Sequence, residues 1–314
     1  MTTWIGVDVS KRTLDVSVEG LESRSYSQAT EIEALVSAIA LEDAPHVVME
    51  STGGYERELW SSLERRGIRC TVVNAMRARA FSTSLGSLAK TDAIDAQMLA
   101  KMGRCLGLKA MFRPAESVQR LRMLAQRREQ LVKLQVVERN HREHGKEATV
   151  VESILRVQEV LKNEIQSLDR AIKETLEETV ELKERVRQLQ TVPGIGPVVS
   201  SGLVAGLPEL GSLSKSQVAA LTGLAPYNSD SGGKQGKRKL AGGRRPIRRL
   251  LYMAALVASR ANASMKQFYE RLVAEGKPKK VALLALARKL VVALNAMVKS
   301  GQDWCPDRVF QPTS

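Results

Sequence analysis

The stretch "TWIGVDVSKRTLDVSVEG", residues 3–20, decides the fold class of the first part of the chain. Short β-branched, period-two runs flank the turn-like "SKR", which is typical of two strands joined by a tight connection. Asp8 lies inside the first run, where the period of two directs a side chain inward or towards a rim. The stretch therefore predicts an antiparallel hairpin that carries an acidic side chain.

Helix and strand signals alternate after this hairpin, up to about residue 110. The helical pattern of residues 31–40 precedes the apolar strand "HVVME" at 46–50, and the helical pattern of residues 55–67 precedes the strand "IRCTVVN" at 68–74. Alternation of this kind predicts an α/β domain.

The middle of the chain, from about Glu116 to Gln190, is highly charged, poor in glycine and free of proline. Its apolar and threonine positions alternate steps of four and three, which is the spacing of a coiled-coil seam. The break between two helical arms is expected near Gly145. The seam predicts pairing with a return helix or with another subunit, and it comprises Leu161, Ile165, Leu168, Ile172, Thr175, Thr179, Leu182, Val186 and Leu189.

The last part of the chain is predicted to be mainly helical. In "LQTVPGIGPVVSSGLVAGLPEL", residues 189–210, glycines and prolines separate two helical segments. This resembles a helix-hairpin-helix element that holds a phosphate on backbone N–H groups, and a tight turn between packed helices is an equally good interpretation. Two amphipathic helices, at 247–260 and 279–298, are expected to contribute core faces.

Composition indicates the kind of partner. The chain has 48 Lys and Arg against 34 Asp and Glu, a formal charge of +14, which favours nucleic acid through counterion release. Residues 1–60 nevertheless hold eleven acids and four bases, whereas residues 234–249, "KQGKRKLAGGRRPIRR", hold eight bases and no acid. That basic run is either a binding surface or a solvated, flexible segment.

Other classes are disfavoured. No apolar run reaches the roughly 18 residues that a bilayer span needs, and the N-terminus lacks the pattern of a signal peptide. The three cysteines are far apart and odd in number, which argues against a disulfide framework or a zinc site. A cytoplasmic protein without a membrane partner is expected.

Four carboxylates of the first domain form a pattern. Asp8 lies in a strand, Glu50 ends one, and Asp92 and Asp95 in "AKTDAIDAQMLAK", residues 89–101, share a helix face. Each alone is more often a turn partner or a solvated charge. Together they favour a ribonuclease-H-like site in which two divalent cations, about 3.5 to 4 Å apart, stabilise both oxygens of a phosphodiester displacement.

"GVDVSK", "ESTGGYE", "KTDAIDAQMLA", "TVPGIGP" and "GLAPYNSDSGGKQGKRKLAGGRRPIRRLLYMAALVASR" occur in this order across nearly the whole chain. In this the sequence resembles the DEDD transposases of bacterial insertion sequences of the IS110 type. The resemblance implies a RuvC-like domain of ribonuclease-H fold at 1–113, a coiled-coil region at 114–190 and a C-terminal transposase domain at 191–314. It also implies a location in the bacterial cytoplasm, with the nucleoid.

The resemblance further implies site residues and partners. Asp8, Glu50, Asp92 and Asp95 would bind Mg²⁺ or Mn²⁺, and Ser231 would be the nucleophile, since it precedes a glycine as Ser229 does not. Expected partners are donor and target double-stranded DNA, a structured noncoding guide RNA (a bridge RNA) and further copies of the chain, as a dimer that assembles to a tetramer.

The residues around Ser231 leave its role open. No histidine lies in this loop, so a base or metal elsewhere must activate the hydroxyl, which requires the two domains to meet within one chain or across subunits. Otherwise Ser231 is a turn residue before Gly232 and Gly233. The residues expected to hold phosphates are Lys234, Lys237, Arg238, Lys239, Arg244, Arg245, Arg248 and Arg249.

Three functions are therefore compared. The first is a recombinase in which Ser231 attacks a DNA phosphodiester, with metal assistance, and forms a covalent intermediate. The second is a metal-dependent nuclease, of the junction-resolvase type, in which water attacks. The third is a nucleic-acid-binding scaffold without chemistry, which the acidic pair Asp92 and Asp95 disfavours, because a pure polyanion binder gains nothing from clustered acids.

Overall fold

A computed structural model describes residues 2–18, 21, 23–87, 91–111, 114–145, 147–228 and 238–305. The chain forms two compact units, Met1–Arg113 and Pro114–Ser314, and each has a hydrophobic core of its own. The further division at residue 190 stays a prediction.

Five strands form one sheet in the first unit: β1 (Trp4–Val9), β2 (Thr13–Val18), β3 (Arg24–Ser27), β4 (His46–Glu50) and β5 (Arg69–Val73). Their order is β3-β2-β1-β4-β5, with β1 antiparallel to β2 and parallel to β4. The predicted hairpin is confirmed, and its register sets Asp8 opposite Asp15. The edge strand β3 was not predicted, because its sequence, "RSYS", has no apolar alternation.

Helices cover both faces of this sheet: α1 (Ile32–Ile39), α2 (Glu56–Arg65), α3 (Ala75–Ser84) and α4 (Asp92–Leu106). Successive side chains of a strand point to opposite faces. Val47 and Met49 of β4 accordingly pack with residues of α1 and α2, whereas Val48 packs with Leu99 and Met102 of α4. The mixed α/β arrangement agrees with the prediction for this part of the chain.

In its described residues the second unit is helical apart from a ribbon of two short antiparallel strands, β6 (Pro226–Tyr227) and β7 (Lys239–Leu240). Its helices are α5 (Glu116–His144), α6 (Ala148–Glu177), α7 (Val180–Gln190), α8 (Pro197–Gly206), α9 (Lys215–Leu221), α10 (Arg245–Ala261), α11 (Ala263–Ala274) and α12 (Lys279–Ser300). The mainly helical prediction is therefore confirmed for the described residues.

Helices α5 and α6 pair as an antiparallel hairpin. Gly145 follows the last residue of α5, as expected for the break between two arms. Arg120 forms an ion pair with Glu178, and Arg128 with Asp169, so residues further along α5 meet earlier residues of α6. A small cluster around Leu131 holds the middle of the pair.

The continuous seam predicted from Leu161 to Leu189 is wrong at Thr179. The helix ends before this residue, and Thr179 is exposed and caps α7 by accepting a hydrogen bond of 3.4 Å from the backbone N–H of Leu182. From Ile172 onward the buried positions pack into the main core of the second unit. A spacing of four and three suits a globular core as well as a coiled coil, which is why the sequence did not separate the two.

Helix α12 contributes many buried residues to the core of the second unit. Its length and composition would suffice for a membrane span, yet more than half of its most apolar window is buried within the protein. Leu286, Leu290 and Leu294 have no exposed surface. The apolar face predicted for this helix therefore contributes to a core.

Candidate active site

Four carboxylates from three elements line one cleft of the first unit. Asp8 lies on β1, Glu50 ends the neighbouring parallel strand β4, and Asp92 and Asp95 occupy the first turn of α4. All four line a cleft with a volume of about 990 Å³. The structure thus brings together the acids that the sequence pattern had singled out, at the carboxyl ends of two adjacent strands.

Gly6 sets the distance between β1 and α4. A Cβ atom at this position would collide with the carbonyl oxygen of Ala96 and approach the amide nitrogen of Ala100 within 2.6 Å, both on the helix backbone. Only glycine lets the backbones come so close. Gly6 is two residues before Asp8 on β1, so the close approach of β1 and α4 also brings Asp92 and Asp95 towards Asp8. This role of Gly6 was not predicted, although a glycine inside an apolar strand is a signal of close backbone approach.

The start of α4 is fixed by its cap. Thr91 accepts a hydrogen bond of 3.3 Å from the backbone N–H of Ile94, which is the usual geometry of an N-cap. Asp92 and Asp95 then lie at the positive end of the helix dipole, which favours carboxylates. The dipole therefore offsets part of the repulsion between the two acids.

Burial and the negative charges around it perturb the Asp8 carboxyl. Burial, followed by the negative charges of Asp92, Asp95, Glu50 and Asp15, raises the pKa of Asp8 to about 6 from its ordinary value of 3.8. Keeping this carboxyl ionised at neutral pH costs free energy in the protein alone. A cation in the cleft would remove that cost.

The chemistry of these donors fits a hard divalent cation, because Mg²⁺ and Mn²⁺ prefer carboxylate oxygens. Within the described residues, however, no three acidic, histidine or cysteine side chains are grouped closely enough to hold an ion. The cleft is therefore an acidic site whose carboxylates would have to converge around a cation.

Glu56 organises the loop that follows Glu50. Its Oε2 accepts hydrogen bonds from the N–H and hydroxyl of Thr52, at 3.2 and 3.0 Å, and from the N–H of Gly54 at 2.9 Å. Burial alone would raise the pKa of Glu56, but these hydrogen bonds hold it below its usual range. Glu56 thus positions the loop beside a candidate ligand. This role of Glu56 was not predicted from the sequence.

The predicted nucleophile lies outside the described residues. The same holds for Ser229, Lys234 and Lys237, so the assignment of Ser231 and these two lysines stays a prediction. Beyond the gap, Arg238 and Lys239 are exposed at the start of β7. Arg245 is also exposed, at the first position of α10.

Three of the other predicted phosphate ligands have partners within the protein. Arg244 donates to both carboxylate oxygens of Glu209, at 2.6 and 2.7 Å. Burial alone would raise the pKa of Glu209, but this guanidinium holds it below its usual range. Arg248 donates to the carbonyl of Gly223 at 3.1 Å, and Arg249 forms an ion pair with Glu129. These arginines stabilise the second unit, and their binding to phosphate stays a prediction.

A second cleft, of about 780 Å³, lies between α5, α8 and α10 of the second unit. Most of its charged lining residues are basic: Arg122, Arg128, Lys133, Arg244, Arg245 and Arg249. Such a surface suits a polyanion. Part of the predicted basic run thus contributes to a concave surface, together with arginines of α5 that the sequence analysis did not select.

The glycine turn between α7 and α8 is packed against α10. A Cβ atom at Gly194, where φ is +93°, would lie 2.7 Å from the carbonyl oxygen of Ala254. The neighbouring Gly196, which caps α8, faces open space. The structure therefore gives Gly194 a packing role, as the simpler interpretation of this motif expected.

Comparison with known proteins covers both units. Residues 5–144 match a family model described as a transposase, and residues 186–270 match a model described as the IS116/IS110/IS902 family of transposases. The first match contains all four cleft carboxylates. The second contains the glycine turn and the basic run.

Relatives of the chain agree with these matches. A pilin gene-inverting protein of Moraxella bovis is 26% identical over 320 residues, which cover 96% of this chain and 97% of that protein. The 42 kDa protein of insertion element IS900, from Mycobacterium paratuberculosis, is 34% identical over 154 residues, or 46% of this chain and 38% of that protein. The 44.8 kDa protein of insertion element IS116, from Streptomyces clavuligerus, is 31% identical over 151 residues, or 46% of this chain and 38% of that protein.

Proposed function

The chain belongs to the IS110 family of insertion-sequence transposases, and we propose that it is a site-specific recombinase that inserts and excises a mobile DNA element. The observation that carries this proposal is the cleft shared by Asp8, Glu50, Asp92 and Asp95. We propose that the first unit is a RuvC-like domain of ribonuclease-H type, and the mixed α/β sheet that carries these acids supports this. The similarity to a pilin gene-inverting protein supports rearrangement of DNA rather than degradation.

The four carboxylates would hold Mg²⁺ or Mn²⁺. Such an ion supplies Lewis-acid stabilisation of the charge that develops on phosphoryl oxygens. The residues of the chain supply its position: Gly6 lets α4 approach β1, Thr91 caps that helix, and Glu56 holds the loop after Glu50. The raised pKa of Asp8 supports the proposal, since a cation relieves the repulsion among the acids.

Ser231 is proposed as the nucleophile. Its hydroxyl oxygen would form a bond to phosphorus while the bond from phosphorus to a deoxyribose oxygen breaks. The serine proton leaves to a base, and the departing oxygen gains a proton. The product is a phosphodiester between protein and DNA, whose energy is retained for rejoining to another strand. A water nucleophile would instead give free hydrolysed ends.

The expected nucleic-acid partners are donor and target duplex DNA and a structured guide RNA that pairs with both. A formal charge of +14 is compatible with binding of all three. The exposed Arg245 lines the basic cleft of the second unit, and this supports that cleft as a surface for a phosphate backbone. The α5–α6 hairpin is proposed as the coiled-coil region through which dimers form and then assemble to tetramers.

The mechanism is tested by trapping the reaction with end-labelled DNA and separating the products on a denaturing gel. The wild-type protein should give a slowly migrating protein–DNA adduct in Mg²⁺. Ser231→Ala should abolish it, whereas Ser229→Ala should retain it. An adduct that survives Ser231→Ala would overturn the serine assignment, and cleavage without any adduct would favour the water-dependent nuclease.

A separate experiment tests the guide RNA. RNA that copurifies with the protein should be enriched in one structured transcript, and sequencing should reveal segments complementary to donor and target DNA. Copurifying RNA of random origin would contradict guidance without affecting the chemistry proposed for the acidic cleft.

A further inference from the structure

Helix α3 contributes a different chemistry to the acidic cleft. It follows β5, and its residues Ala75, Met76, Ala78, Arg79, Ser82 and Thr83 line the same cleft as the four carboxylates. The side chains of Ala78 and Phe81 pack against the core cluster that contains Leu99 and Met102. The helix is therefore anchored to the sheet, and its lining residues have defined positions.

Ser82 is a buried hydrogen-bonding group that has no partner among the described residues. Only 3% of the residue is exposed, and in the part of the chain that the structure describes its hydroxyl has no hydrogen-bond partner. An unsatisfied buried hydroxyl is unfavourable, and such a group calls for an explanation such as an absent ligand. By contrast, the hydroxyl of Ser84 on the same helix donates to the carbonyl of Phe81 at 2.7 Å.

Arg79 is one turn before Ser82, so the two side chains lie on the same helix face. Arg79 is exposed at the cleft, and among the described residues it has no ion pair or hydrogen bond that would occupy its guanidinium. A guanidinium and a hydroxyl together are the donors that commonly hold a phosphate oxygen. Carboxylates cannot do this, because they only accept hydrogen bonds and they repel the anion.

We propose that Arg79 and Ser82 bind a backbone phosphate of the DNA strand that is cut, next to the phosphate that reacts at the carboxylates. This rests on the proposed recombinase function and names the side of the cleft that holds the substrate. The Arg79 guanidinium offsets the repulsion between the acids and the strand. The Ser82 hydroxyl finds in the phosphate an acceptor that the described residues do not provide.

The test uses the full-length protein and DNA in which single phosphates on each side of the cleavage point are replaced by neutral methylphosphonates. Cleavage rates are compared for wild type, Arg79→Gln and Arg77→Gln. Arg77 is the matched control, because it is an exposed arginine on the same helix that does not line the cleft. At one position near the cleavage point, the neutral linkage should slow the wild type and Arg77→Gln about tenfold.

For Arg79→Gln, the same neutral linkage should have no further effect, since the contact it removes is already lost. With unmodified DNA this variant should be about tenfold slower than Arg77→Gln. If Arg79→Gln and Arg77→Gln respond alike at every position, the proposal is wrong. Asp8→Asn is measured in the same experiment. If this variant loses all cleavage while Arg79→Gln and Arg77→Gln respond alike, the proposal for Arg79 fails and the recombinase function stands. Failure of the proposal is therefore distinguishable from failure of the recombinase function.

Ser82→Ala provides an independent measurement. The variant should be at least as resistant to urea as wild type, because it removes an unsatisfied buried hydroxyl, and yet it should cleave several-fold more slowly. Ser84→Ala, which loses a hydrogen bond within the helix, is the control for stability. A Ser82→Ala protein that is less stable and fully active would show that the hydroxyl serves the fold and would overturn its assignment to DNA.

Discussion

Replacing Asp8 by asparagine should stabilise the protein and at the same time abolish its activity. The pKa of Asp8 is raised from 3.8 to about 6, a difference of about two units. At neutral pH this corresponds to at most about 3 kcal/mol of unfavourable free energy. Because the carboxyl is only half-buried, solvent screening reduces the expected value to about 1 to 2 kcal/mol.

The raised pKa of Asp8 makes the stability of the folded protein depend on pH. Between pH 4 and 6 the folded state holds the Asp8 proton more tightly than the unfolded state does, so the contribution of this group to stability decreases as pH rises through about 6. At pH 7.5 the folded state bears the full free-energy cost of keeping Asp8 ionised. Asp8→Asn, which keeps the shape and removes the charge, should therefore be more stable than wild type at pH 7.5, and the difference should vanish near pH 4.

The assay is urea unfolding in EDTA, followed by circular dichroism, at several pH values and then with Mg²⁺. Added Mg²⁺ should stabilise wild type but not Asp8→Asn, because the ion relieves the repulsion that the variant lacks. Glu58→Gln, an exposed acid on α2, is the control and should unfold like wild type under all these conditions. An Asp8→Asn protein that is less stable than wild type at pH 7.5 in EDTA would refute the reasoning.

Three further predictions concern the supports of the site. Gly6→Ala should destabilise the protein by about 3 kcal/mol or prevent folding, because the added methyl group collides with the backbone of α4. Circular dichroism measures the loss of stability. Gly196→Ala is the control, because a methyl group at that position meets open space. Glu56→Gln should lower the free energy of unfolding by about 1 to 3 kcal/mol at pH 7 and speed amide hydrogen exchange at Gly54. Because the pKa of Glu56 is lowered in the folded state, its contribution to stability is present above pH 4.5 and is lost as pH falls through the folded-state pKa. The difference in stability from wild type should therefore shrink in acid. Burial, and then the charge of Arg69, lowers the pKa of His46 from 6.5 to about 4. His46 should therefore favour folding above pH 6.5 and lose that contribution as pH falls towards 4. NMR titration of its ring should show a neutral imidazole at pH 5.

The tautomer of His46 follows from its neighbours. The hydroxyl of Thr71 donates to the carbonyl of Lys109 at 2.8 Å and lies 2.8 Å from Nε2 of His46. A hydroxyl has only one proton, so it accepts from the imidazole, which must carry its proton on Nε2. A ring nitrogen signal for the Nδ1–H form would contradict this arrangement.

Periodicity sufficed for the elements whose apolar side chains face one core. The hairpin that carries Asp8 and the strand that ends in Glu50 follow from alternation and length alone. It failed for α3, "AMRARAFSTS", which has no continuous apolar stripe and buries only Ser82 fully. Its helical state depends on the Asn74 cap and on packing against α4, which local sequence does not display.

Contacts between distant residues explain the other differences. A run of eight basic residues looks uniform in sequence, but Arg244 is paired with Glu209 and Arg249 with Glu129, whereas Arg245 is exposed. Only the fold brings those acids to those arginines. The charge run therefore predicted a partner class, and it could not separate the arginines that stabilise the unit from those that are available to a phosphate.

The acids of the cleft illustrate why a basic protein keeps a local excess of negative charge. Each acid-bearing element has a separate structural support: Gly6 for the approach of β1 and α4, Glu56 for the loop after Glu50, and the Thr91 cap for the start of α4. These supports hold mutually repelling groups together in the absence of a ligand, and the raised pKa of Asp8 reflects the resulting cost. A fold selected for stability alone would let such acids separate. Their retention at one cleft is best explained if the free energy is returned when a cation and a phosphate strand bind there.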